Sequence, residues 1–147
     1  MSSSVSSIAI FQKRVGGMLP SLSQAEAEVL GMLSYGIVIL DKCGLTKLSH
    51  GLAKIEQVPA ERLRQRLREF YYEAQAKRGK KRREVDVQRC FADLLRSVLR
   101  GWEGKKELAL AMDATTLGER FTALSISVMY RGCGIPIAWK IIEAQQE

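Results

Sequence analysis

The sequence predicts an α+β protein, with a basic helical module first and a three-stranded antiparallel meander after it. Three observations predict this. Apolar residues recur every three or four positions in successive stretches between residues 22 and 102. After Gly104 the period shortens to two, with Leu108, Leu110 and Met112 alternating against Ala109, Ala111 and Asp113. The charge is also lopsided. Residues 62–83 hold ten Lys or Arg against two Glu, whereas the chain after Lys106 is close to neutral.

Residues 1–21 show no clear period and are expected to form a loose tail. Ser23 and Glu26 have the spacing of a capping box that opens a helix. Leu22, Ala25, Val29, Leu33 and Ile37 then make one apolar face, and 41–44, "DKCG", reads as a stop. A second helix is expected over 46–56, with Leu48, Leu52 and Ile55 inward. Pro59 suits the first turn of a third helix, whose buried stripe is Leu63, Leu67, Phe70, Tyr71 and Ala74. The run "KRGKKRR" over 77–83 breaks the pattern. Val87, Phe91, Leu94, Val98 and Trp102 line a fourth helix. Strands are expected over 108–113, 121–131 and 135–142, with turns at "LGER" (117–120) and at Gly132 and Gly134. Proline at 136 is tolerated near a strand start. The domain division that follows is a tail (1–21), a helical DNA-binding module (22–104) and a β module (105–147).

A chain of 147 residues is one domain or two small ones, and 46% apolar residues suffice for a core. The net charge of +7 points to a polyanionic partner. Cys43, Cys90 and Cys133 form no CxxC pair and His50 is the only histidine, so a structural zinc site is not expected. Scattered cysteines fit a reducing compartment. The serine-rich start lacks the features of a signal peptide, and the longest apolar run is far too short to span a bilayer. A cytoplasmic, nucleoid-associated protein with no membrane partner is expected.

The basic module reads as helix, short turn (57–59), helix. On the third helix Arg62 and Arg66 share one outward face, and Arg64 and Arg68 lie on an adjacent one. Such a helix can lie in or across a DNA groove with its arginines on phosphates. Lys77, Arg78, Lys80, Lys81, Arg82 and Arg83 would track the backbone. His50 is expected on a helix surface, and Trp102 and Trp139 in the core.

Asp113 is the one acidic residue in an apolar run, expected where the first strand ends. Small neighbours leave room for a ligand, and Thr115 and Thr116 can hydrogen-bond a carboxylate. An aspartate on a rigid strand suits a hard cation such as Mg²⁺, although aspartates also commonly start turns. By spacing alone the turn is the more common use.

The stretch "LALAMDATTLGERFTALSISVMYRGCGIPIAWKII" (108–142) resembles the start of the catalytic domain of DDE-type insertion-sequence transposases. The likeness rests on Asp113-Ala114-Thr115-Thr116 and on Gly134-Ile135-Pro136-Ile137-Ala138-Trp139-Lys140. "GLTKLSHGLAKI" (44–55) and the arginine-rich helix after it resemble the helical N-terminal part of the same proteins. The resemblance implies an RNase H-like fold of which residues 105–147 are the first meander. It also implies phosphodiester chemistry on two metal ions, ~3.5–4 Å apart. Water hydrolyses a transposon end, and the freed 3′-hydroxyl attacks target DNA. Asp113 matches the first of three metal-binding carboxylates, a catalytic position and a metal ligand for Mg²⁺. The second Asp and the Glu have no counterpart before Glu147. The catalytic domain is therefore expected to be truncated, Mg²⁺ weakly held or absent, and this chain alone inactive. The alternative is a non-catalytic DNA-binding regulatory protein. In either case the uncovered sheet is expected to promote self-association.

Overall fold

The first long helix begins where two residues satisfy each other's donors. Ser23 N–H donates to the Glu26 carboxylate at 2.7 Å, and Glu26 N–H donates back to Ser23 Oγ at 3.3 Å. This is the capping box that the spacing predicted, and helix α2 runs from it over Gln24–Leu40. It ends at Asp41 in the left-handed region, φ 49°. A computed structural model describes residues 7–79, 83–102 and 107–143. Around α2 stand α1 (Ser7–Met18), α3 (Leu45–Glu56) and α4 (Ala60–Phe70), followed by a short 3₁₀ turn at Ala74–Ala76. Then come α5 (Val87–Arg100) and strands β1 (Leu110–Leu117), β2 (Phe121–Tyr130) and β3 (Cys133–Glu143). Among the described residues the fold is therefore α+β, five helices and then a three-stranded antiparallel sheet.

Two compact units divide the chain, Met1–Asp86 and Val87–Glu147. The fourth helix of the sequence reading, α5, groups with the sheet and not with the helices before it. In the first unit the core is Val29, Met32 and Leu33 of α2, Leu48, Leu52 and Ala53 of α3, and Leu63 and Leu67 of α4, closed by Ile8 of α1. Leu48, Leu52 and Leu67 are fully buried, each worth about 1.5–3 kcal/mol by removal from water.

Helix α1 corrects the expected tail. It packs along α2, where Gly31 makes the close approach possible. A Cβ there would stand 2.6 Å from Gln12 Cα. Cover from α1 also explains why α2 buries more than one face: Ala27 and Gly31 are buried as well as Val29 and Leu33, while Ala25 and Ile37 of the expected stripe are exposed. On α3, Ser49 and Ala53 are buried and Ile55 is exposed. Ser49 Oγ satisfies itself on Thr46 O at 2.9 Å. Helix α4 stops at Phe70, so Tyr71 falls beyond the buried stripe and is exposed. Among the described residues no single helix is long and apolar enough to cross a membrane.

In the second unit the sheet order is β1-β2-β3. The β2–β3 connection is a two-residue turn, Arg131 and Gly132, both at positive φ (49° and 80°). That is the primed geometry whose twist matches a hairpin. Gly134, expected in the turn, lies inside β3 opposite Met129. A register shift sits at Ile126/Ser127, where Pro136, lacking an N–H, faces Ser127. Helix α5 packs on β3. Its end is pinned to β2 by Tyr130, which donates to Gly101 O at 2.7 Å and stacks on Trp102 at 5.0 Å. Val128 is fully buried, and Leu124, Ile126 and Tyr130 on the same face of β2 are half-buried. Trp139, expected in the core, is 45% exposed. The described residues of β1 are all exposed.

Candidate functional site

Helix α4 turns Leu63 and Leu67 into the core, and this sets where its arginines go. Arg62, Arg64, Arg66 and Arg68 all lie on its exposed surface. The helix follows α3 through a tight turn at Gln57, φ 54°, whose N–H caps α3 on Ala53 O. A helix-turn-helix hairpin with a basic second helix is thus in place, and His50 is exposed on its first helix.

The arginines differ in what they touch. Arg64 lies 3.8 Å from Glu61 one turn back. Arg66 donates to Glu28 of α2 at 2.8 Å. Arg68 lies over the Tyr72 ring at 5.5 Å. Arg78 is 3.9 Å from Glu69. Arg83 grips Glu26 with two donors, Nε at 2.8 Å and NH2, and also donates to Ser21 O at 3.2 Å. Among the described residues Arg62 and Lys77 form no ion pair. Lys80, Lys81 and Arg82 lie outside the described residues. The structure thus brings Arg66, Lys77 and Arg83 to one cleft between α2 and α4.

Glu26 is the residue whose second role the sequence did not reveal. Its side chain is 9% exposed. Burial pushes its carboxyl up, but hydrogen bonds from Arg83 and Ser23, with the charge of Arg83, pull it below the ordinary glutamate range. The capping-box spacing was visible; the pairing with a residue 57 positions away was not.

Asp113 lies in the middle of β1 and not at its end, because Thr115, Thr116 and Leu117 continue the ladder opposite Ala123, Thr122 and Phe121. Asp113 faces Ser125, which in turn faces Trp139. Thr115 Oγ1 donates to Asp113 Oδ2 at 2.9 Å. Thr116, one residue on, belongs to the opposite face of the strand. Glu143 shares the Asp113 face, but it pairs with Phe121, two rows along and two strands away. At ~3.4 Å per residue and ~4.8 Å per strand the two carboxylates stand more than ~15 Å apart, far beyond the reach of a shared metal pair. Among the described residues no three His, Cys, Asp or Glu side chains converge. The described residues therefore do not fit a pair of magnesium ions.

Comparison of the chain with protein-family models, curated protein sequences and solved structures finds no match.

Proposed function

We propose that the chain is a transposase-related DNA-binding protein that contacts duplex DNA through its first unit. In this reading α4 lies along or in a groove, with Arg62, Arg64 and Arg68 on phosphates and Lys77 and the basic run after it following the backbone. In this reading the Asp113-Ala114-Thr115 motif is the counterpart of the family's first metal-binding carboxylate by sequence alone. The observation that carries the DNA reading is the exposed arginine surface of α4, the second helix of a tight hairpin, in a chain of net charge +7.

The test is duplex affinity across a salt series. With about six phosphates neutralised, log K falls against log salt with a slope near ~−5. A flat response would remove the phosphate contacts and the reading with them.

One observation favours a second reading, a non-catalytic DNA-binding protein that associates through its sheet. Strand β1 offers an open edge, with Leu110 and Met112 61% and 78% exposed. On this reading the full chain sediments as a dimer or larger species at micromolar concentration, and Met112→Lys shifts it toward monomer. A monomeric wild type would refute it.

A further inference from the structure

Two carboxylates from one turn of α2 hold two arginines of the basic surface, Arg66 of α4 and Arg83 of the run after Lys77. Glu28 accepts from Arg66 at 2.8 Å, and Glu26 takes two donors of Arg83. Both arginines line, with Lys77 and Phe70, a cleft of about 500 Å³. A guanidinium recognises carboxylate and phosphate by the same planar fork of donors. An arginine engaged by a glutamate has fewer donors for a phosphodiester, and the adjacent negative charge cancels its field. Arg62 and Lys77 carry no such partner among the described residues. The cations of this surface thus fall into two sets, one open and one held.

We infer that the start of α2 is an intramolecular phosphate mimic: Glu26 and Glu28 compete with DNA for Arg83 and Arg66 and so set the affinity of the interface. The inference rests on the DNA-binding reading above and adds a regulation to it. The competition is graded. The Arg66–Glu28 pair is the weaker, with side chains 43% and 37% exposed. Arg83 is held harder, because Glu26 is buried and itself fixed by Ser23 at 2.7 Å. An approaching phosphate displaces Glu28 first and Glu26 second.

The experiment is fluorescence anisotropy of a labelled duplex with the full chain and three variants, Glu28→Gln, Glu26→Gln and Glu56→Gln. Glutamine at 26 keeps the acceptor that the capping box needs. Glu56 is exposed on α3 and controls for the loss of one negative charge. Glu28→Gln is expected to bind about two- to fivefold tighter than Glu56→Gln, with a salt slope steeper by up to about one unit. Glu26→Gln is expected to tighten binding in the same direction. Salt-dependent wild-type binding with Glu28→Gln no tighter than Glu56→Gln would overturn this inference and leave the DNA reading standing. Weaker binding by both cleft variants, with unchanged circular dichroism, would make the glutamates positioning residues and overturn it too. Absence of salt-dependent binding in every protein would overturn the DNA reading and this inference together.

Discussion

Replacing Arg62, Arg64, Arg68 and Lys77 together with alanine lowers affinity for duplex DNA by about two to three orders of magnitude near 0.1 M salt. The four were chosen for what they do not hold. Arg62 and Lys77 form no ion pair among the described residues. Among the described residues Arg64 has only the 3.8 Å contact to exposed Glu61, and Arg68 has an aromatic ring and no carboxylate. Each is free to neutralise a phosphate without first losing a strong internal partner. Each phosphate contact contributes about −0.9 to the salt slope, so four lost contacts flatten it by roughly 3.5 units. The fold should survive, because exposed charged pairs are worth at most ~1 kcal/mol each and Leu63 and Leu67 still anchor α4. The check is a pair of salt series, wild type against variant, with circular dichroism at the working temperature. A loss below tenfold, with the helices intact, would take α4 out of the interface and leave the basic residues at 80–83 as its main contacts.

What the sequence disclosed about this surface, and what it hid, follows from the range of the interactions. The capping box of Ser23 and Glu26 spans three residues, the α4 stripe of Leu63 and Leu67 spans four, and the β hairpins are local. All were legible, because the physics that makes them is local too. Helix α1 was not. Ile8, Phe11 and Val15 have helical spacing, but a serine-rich start and Gly16-Gly17 obscured it. The helix is one that packing supports more than propensity does, with Gly31 admitting the Gln12 backbone. Without that helix the α2 stripe lacks Ala27 and Gly31, which bury a face that none of the four expected helices covers. The expected first strand ends at Asp113, whereas β1 runs on to Leu117, because the β-branched Thr115 and Thr116 favour the ladder. The Arg66–Glu28 and Arg83–Glu26 pairs join residues 38 and 57 positions apart. No period or motif reports such pairs, so the division of the basic residues into open and held sets exists only in the folded chain.

Glu26→Ala is expected to lower the stability of the helical unit by about 2 kcal/mol and its melting point by about 10 °C. Three losses combine. The Ser23 N–H loses its 2.7 Å acceptor, and with it the reciprocal cap that starts α2. The Ser23 hydroxyl loses its 2.7 Å partner. Arg83 loses both carboxylate oxygens, although its own side chain is 55% exposed and water replaces much of that contact. Glu26→Gln keeps an acceptor at the cap and should lose less. The pH dependence separates the charge from the cap. In the folded chain burial raises the Glu26 carboxyl, but hydrogen bonds from Arg83 and Ser23 and the charge of Arg83 outweigh it, so the folded value lies below the ordinary 4.5. A depressed carboxyl contributes stability that is fully present above the unfolded value and is lost as pH falls through the folded one. Wild-type stability should therefore drop, from Glu26, as pH falls below about 4.5, and Glu26→Gln should lack that part of the drop. Thermal melts of both proteins by far-UV circular dichroism between pH 7 and pH 3, at fixed salt, give the comparison directly. Melting curves that stay parallel down to the lowest pH would mean that the carboxylate contributes through its shape at the cap alone and that its charge on Arg83 adds nothing to the fold.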